Sequence, residues 1–245
     1  MPDFASPLIE VKDLCKRYGS HRVLQGASFA VNRGETLGLF GISGSGKSTI
    51  GRCLMLLERP DSGEIMFDGR DLLKMSKREI FQARPRLQMI FQHPETSLNP
   101  RMKALESISE PLVVHRKLSS EAIYQETKRL MGQVGLRPEH LERYPNQLSG
   151  GEIQRAVLAR IISLQPSFVV ADEPTSMLDA SVQAQILRLM MKLQEDTNLA
   201  YLFISHDLDV LKAVTDRIAY IENGSIKKIE ENHEKMSWPN GQIGK

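Results

Sequence analysis

The chain holds only two cysteines, Cys15 and Cys53. They stand far apart and form no C-x-x-C pair, which argues against a zinc site and against a dithiol redox motif. The lack of a disulfide framework suits a reducing compartment, and Cys53 reads as a small core residue. No run of about 18 apolar residues occurs, so the chain is not expected to span a membrane itself. Residues 1–20 show neither an apolar h-region nor a cleavage-like site, so no secretory signal is expected. The formal net charge is +2, and lysines and arginines are scattered instead of forming a basic stripe. No nucleic-acid partner is therefore expected. Internal repeats and low-complexity tracts are absent as well.

What is present is ordinary for a soluble globular protein. The 245 residues are 41% hydrophobic and 25% charged, enough to bury a real core and to fit one large domain or two small ones. Apolar periodicity predicts strands over 8–14, 27–31, 36–40, 64–67 and 87–91. Helical spacing takes over from about residue 101 to 135 and reads as an insertion in an α/β core, about residues 95–165 in all. Further along, helices are expected over 151–163 and 181–195. Strands are expected over 168–171, 199–204 and 218–222, and Asn223-Gly224 predicts a hairpin to a last strand at 225–229. Strands alternating with helices predict a mostly parallel sheet. Residues 1–230 form the expected domain, and residues 231–245 are expected to be a loose tail.

The chemistry is concentrated in a glycine-rich stretch. Gly41-Ile42-Ser43-Gly44-Ser45-Gly46-Lys47-Ser48-Thr49 follows an apolar strand and precedes a helix, the setting that makes G-x-x-x-x-G-K-[ST] credible as a phosphate loop. Glycines let several backbone N–H groups converge on phosphate oxygens. The helix start adds unpaired N–H groups and its positive dipole end. Lys47 is expected on the β- and γ-phosphates, and Ser48 on Mg²⁺.

A second apolar strand ends in Asp172-Glu173. An Asp at such a strand end can hold Mg²⁺ beside the phosphates, and the neighbouring Glu can deprotonate water. Between the two motifs lies Leu148-Ser149-Gly150-Gly151-Glu152, a helix start able to form another anion cradle. Two cradles with one Asp-Glu pair make sense if Ser149 and Gly150 serve a partner's nucleotide.

With these motifs in this order, the chain resembles the ATP-binding subunits of ABC transporters over roughly residues 8–230. The resemblance implies a P-loop NTPase fold of the ABC ATPase type, with a β-rich N-terminal part, a mostly parallel core sheet and a helical signature subdomain. It implies an ATPase using ATP and Mg²⁺. Tyr18 matches the aromatic that stacks on adenine. Gly41, Ser43, Gly44, Gly46, Lys47, Ser48 and Thr49 match the phosphate loop. Gln92 matches the Q-loop glutamine, a catalytic residue and further Mg²⁺ ligand beside Ser48 and Asp172. Ser149, Gly150, Gly151 and Glu152 match the signature motif, Glu173 the catalytic base, Asp179 the D-loop and His206 the switch histidine.

The stretches 88–102 and 173–187 are similar to the peptide/nickel importer group, whose members import oligopeptides, dipeptides, nickel or metal chelates. The resemblance then implies a second ATPase subunit, identical or paralogous, two integral membrane permease subunits and an extracytoplasmic binding protein. The place of work would be the cytoplasmic face of the membrane. A non-transport complex, such as a phosphonate-processing one, is the alternative. Departures from the family pattern are Glu152 for the usual Gln, His93 for Asp and Met177 for Ala.

Overall fold

The computed structural model describes residues 6–116 and 118–236. The chain divides into two compact units. Among the described residues, the first comprises those up to 89, 167–173 and 194–236, and the second 90–166 and 174–193.

The first unit contains two sheets. Strands β1 (Ile9–Tyr18), β2 (His21–Val31), β4 (Ser62–Phe67) and β5 (Arg70–Asp71) make one, in the order β2-β1-β4-β5. Its β1 pairs are antiparallel. The other sheet runs β10-β9-β3-β8-β7-β6. Its strands are β3 (Thr36–Phe40), β6 (Leu87–Ile90), β7 (Phe168–Asp172), β8 (Ala200–Ser205), β9 (Arg217–Glu222) and β10 (Ser225–Glu231). β3 lies parallel to both β8 and β9, and β7 parallel to β8. β7 and β8 are buried along their whole length, which explains why both read as continuous apolar runs in the sequence. The β9–β10 pair is antiparallel. Asn223 and Gly224 both take positive φ, 49° and 73°, as a tight hairpin turn demands. The mostly parallel sheet and the β-rich N-terminal part are as expected.

Helix α1 (Lys47–Leu54) buries Ile50, Cys53 and Leu54 in a cluster with Leu37, Leu39, Val170 and Ile204. Apolar surface removed from water contributes about 25 cal/mol per Å², so this cluster anchors the helix whose first turn carries Lys47 and Ser48.

Two short helices in this unit were not expected from the sequence. α2 (Lys77–Ala83) starts with a capping box, Ser76 to Glu79, and buries no residue. α7 (Leu208–Val214) is capped by Asp207, whose side chain accepts from the N–H groups of Asp209 and Val210. The expectation of a loose tail from residue 231 also needs correcting over 232–236. Asn232 Nδ2 donates to the carbonyls of Lys212 and Thr215 at 2.8 and 2.7 Å. Lys235 pairs with Asp216 at 2.6 Å, and the Met236 N–H reaches Ala213 O at 3.1 Å. Polar side chains here satisfy the open carbonyls at the C-terminus of α7. The rest of the expected tail lies outside the described residues.

The second unit contains α3 (Ala104–His115), α4 (Ser120–Gln133) and α5 (Gly150–Ile162), and α6 (Ala180–Thr197) begins in it. Ile108, Leu112, Leu130, Met131, Ala156 and Ala159 are all buried. Arg160 ties α5 to α3, donating to Ser107 O at 3.0 Å and pairing with Glu110 at 2.7 Å.

Candidate nucleotide site

In the larger sheet, β3, β8 and β7 are neighbours, and their carboxyl ends carry the loop 41–46, Ser205-His206 and Asp172-Glu173. Ligands of open α/β sheets bind outside these ends.

The loop between β3 and α1 is built for close approach. A Cβ at Gly41 would meet Ile221 O at 2.6 Å and Ser45 Oγ at 2.7 Å. Gly44 and Gly46 have φ of 79° and 106°, a region that L side chains rarely enter. Gly46 caps α1 with no side-chain hydrogen bond, and the first amide bonded within the helix is that of Ile50, to Gly46 O. The N–H groups of Lys47, Ser48 and Thr49 therefore precede the helical ladder and suit an anion. Ser45 Oγ is buried with no hydrogen-bond partner among the described residues.

Lys47 Nζ donates to the carbonyls of Gly41 and Ile42, at 2.6 and 2.9 Å. Its side chain curls over its own loop. Burial pushes its pKa below the usual lysine value, and the Glu173 and Asp172 carboxylates partly offset this. Ser48 Oγ donates to Asp172 Oδ1 at 3.1 Å, joining the first turn of α1 to the end of β7. Asp172 is 6% exposed, and burial raises its pKa despite the Ser48 bond. A hydroxyl and a desolvated carboxylate in contact form the oxygen donor set that a hard divalent cation prefers. Ser43 and Gly44 are exposed, and Thr49 is buried.

Glu173 adopts φ 47°, uncommon for a residue with a side chain. Its N–H donates to Ile204 O at 3.0 Å. The reversed backbone leaves its carboxylate 2.8 Å from His206 Nδ1. Tyr18, at the end of β1, is 46% exposed. Its hydroxyl donates to Glu58, and Lys16 Nζ lies 5.4 Å from its ring centroid.

Lys47, Ser48, Asp172, Glu173 and His206 are thus brought together in the first unit. Gln92, Ser149, Gly150, Gly151, Glu152 and Asp179 belong to the second. Gln92 is exposed just after β6. Ser149 caps α5 in a capping box with Glu152, Ser149 N–H to Glu152 Oε2 at 2.8 Å and Glu152 N–H to Ser149 Oγ at 3.4 Å. Such a box accepts Glu as readily as Gln, which accounts for the acid at this position. A Cβ at Gly151 would meet Val182 of α6 at 2.7 Å. Asp179 Oδ1 accepts the Val182 N–H at 3.0 Å and steadies the start of that helix. Sequence reasoning missed His140, whose Nε2 lies 3.1 Å from Glu152 Oε1. A lone histidine in a polar turn carries no signal of its own.

A phosphate loop, a strand-end acid pair and a histidine on parallel neighbouring strands define a P-loop ATPase. The family model described as ABC transporter matches residues 24–176. The chain belongs to the ABC transporter family, as one of its ATPase cassettes. It is 45% identical over 227 residues to the di/tripeptide transport ATP-binding protein DppF of Pseudomonas aeruginosa, covering 90% of this chain and 70% of that protein. It is 41% identical over 245 residues to the oligopeptide transport ATP-binding protein OppF of Streptococcus mutans, covering 98% and 80%. Among solved structures, the dimeric post-hydrolysis state of the ATP-binding cassette MJ0796, bound to ADP and Pi, superimposes with a TM-score of 0.83. That pair is 28% identical over 92% of this chain and 99% of the other.

Proposed function

We propose that this chain is the ATP-hydrolysing subunit of an importer of short peptides, working on the cytoplasmic face of a membrane as one half of a two-cassette sandwich. The observation that carries the reading is the joined set Lys47, Ser48, Asp172, Glu173 and His206 at the ends of three adjacent strands. The names of the relatives, di/tripeptide and oligopeptide transport proteins, favour peptides over nickel or a metal chelate. The dimeric cassette structure it resembles supports pairing with a second ATPase subunit, identical or paralogous. Two permease subunits and an extracytoplasmic binding protein complete the assembly proposed.

Each residue has a proposed task. Tyr18 offers an aromatic face for the base. The amides at the start of α1 and the Lys47 ammonium take the phosphates, which compete with the Gly41 and Ile42 carbonyls for Nζ. Ser48 and Asp172 would hold Mg²⁺, whose contribution is charge neutralisation on the phosphates, and Gln92 keeps only the family role that the resemblance implies. Glu173 accepts the proton of the attacking water. His206, hydrogen-bonded to Glu173, orients that carboxylate and meets the γ-phosphate. Ser149 and Gly150 present the start of α5 to the partner's nucleotide, and Asp179 steadies the facing α6. Opening and closing draw on the different affinities of the two states for ATP and ADP.

The test is uptake of a labelled dipeptide and of labelled nickel by cells carrying Glu173→Gln in place of this chain. Loss of dipeptide uptake alone supports the reading. Loss of nickel uptake alone reassigns the cargo, and normal uptake of both removes short-peptide import.

A further inference from the structure

We propose that Glu58 is a positioning residue for the base of the nucleotide: its carboxylate holds the Tyr18 hydroxyl and so sets the angle of the ring offered to adenine. The inference rests on the stacking role given to Tyr18 above.

The turn that closes α1 delivers Glu58. The Leu56 N–H donates to Cys53 O and the Leu57 N–H to Arg52 O, both at 2.9 Å, the two backbone bonds of a Schellman motif. Its left-handed position is filled by Leu56, with φ of 51°, where glycine is the usual choice. Leu56 packs against the same buried cluster that anchors α1, which compensates for the strained backbone. The Glu58 N–H also reaches Arg52 O, at 3.3 Å. Its carboxylate is then held at both oxygens. Oε1 accepts from Arg52 Nη1 at 3.4 Å, and Oε2 accepts from the Tyr18 hydroxyl.

The end of β1 is fastened to the same segment by its backbone and its basic side chains. Lys16 Nζ donates to Arg59 O and the Arg17 N–H to Asp61 Oδ2, both at 2.7 Å, and the Asp61 N–H donates to Cys15 O at 2.9 Å. The backbone at Tyr18 is therefore fixed, but its ring still turns about two side-chain torsions. At 46% exposure, packing alone leaves those torsions loose, and the hydroxyl bond to Glu58 is what fixes them. Lys16 Nζ lies over the ring, 5.4 Å from its centroid, within the range of a cation–π contact. It occupies one face and leaves the other for the base. A ring already held at its angle loses less freedom when a base stacks on it. The loop and helix around α1 thus serve both ends of one nucleotide: Lys47 and Ser48 at the start for the phosphates, and Glu58 beyond the end for the base platform.

The test is a competition assay on the purified full chain. A ribose-labelled fluorescent ATP analogue is displaced by ATP or by inorganic tripolyphosphate, which offers phosphates and no base. Glu58→Ala, Tyr18→Phe and the pair are compared with the parent. Each single change should weaken ATP binding about three- to tenfold, a part of the stacking energy between a base and an aromatic ring. Tripolyphosphate binding should stay within about twofold of the parent, because the phosphate contacts are untouched. The pair should be no more than about twofold worse than the weaker-binding single variant, since both changes remove one contact. Additive losses, ATP affinity within about twofold of the parent, or equal losses of ATP and tripolyphosphate overturn the proposal. Should Glu58→Ala fail to fold in a thermal melt, Tyr18→Phe decides alone, by the same limits. Tyr18→Ala separates the two readings. If it binds ATP within about twofold of the parent, the stacking role itself has failed. If it loses about tenfold or more while Glu58→Ala and Tyr18→Phe bind as the parent does, only the positioning role of Glu58 has.

Discussion

His206 Nδ1 and Glu173 Oε1 lie 2.8 Å apart, joining the residue after β8 to the residue after β7. The histidine is 62% exposed and the glutamate 15%, so the acid is the sheltered member of the pair. Glu173→Gln keeps the shape and removes the base. Turnover should fall about 10²–10⁴-fold, equivalent to about 3–5 kcal/mol of barrier, with ATP affinity unchanged. Steady-state hydrolysis beside equilibrium nucleotide binding checks this, and near-normal turnover would remove Glu173 as the base.

Lys47 Nζ donates to two carbonyls of its own loop. Lys47→Ala should weaken nucleotide binding by more than about tenfold, because a charge-assisted contact to phosphate is lost. Folding should survive, since Ile50, Cys53 and Leu54 still anchor α1. Titration with a fluorescent ATP analogue, beside a thermal melt, separates the two effects. Unchanged affinity would argue against the phosphate contact.

Gly41→Ala places a methyl 2.6 Å from a backbone carbonyl, Ile221 O, which cannot rotate away. Relief requires the strand end or the loop to shift, at a cost of about 1–3 kcal/mol. Both the melting temperature and the nucleotide affinity should drop. An alanine variant indistinguishable from the parent in both would mean that the loop has room for a side chain at its first residue.

Asp68 accepts from Arg86 at 2.8 Å and from Arg33. Those two guanidinium groups, Arg86 first, hold its carboxyl below the ordinary aspartate value. Asp68→Asn retains a residue type that tolerates the observed φ of 53°, so it isolates the charge. It should cost about 1–2 kcal/mol at neutral pH, discounted for partial exposure. With the folded pKa below the unfolded one, this stabilisation is whole above the unfolded value. It is lost as pH falls through the folded pKa. The gap between parent and variant in denaturant melts should therefore close on acidification, and a gap that widens would contradict the assignment.

Much of this site was legible in advance, because its signals are local. The phosphate loop lies within one strand–turn–helix, and the acid pair ends an apolar strand buried on both faces. What escaped depends on partners far away in sequence or on weak apolar patterns. α2 buries nothing, so it has no hydrophobic period to detect. Its start, Ser76-Lys77-Arg78-Glu79, was a readable capping box. α7 is only seven residues long, and Asp207 was its one available signal. β1 and β2 run on to Tyr18 and from His21 through register shifts, which break the alternation used to find strands. The contact of His140 with Glu152 arises only when the turn and α5 meet.

The order of strands carries a consequence for synthesis. β3 ends at residue 40, yet both of its neighbours, β8 and β9, start at residue 200 or later. The ribosome therefore delivers the loop around Lys47 long before the strands that flank it exist. Such distant pairings pay their loop-closure entropy late and slow the final assembly. The nascent chain must carry β3 unpaired on both edges through most of translation, which leaves this apolar segment open to mispairing until its neighbours arrive.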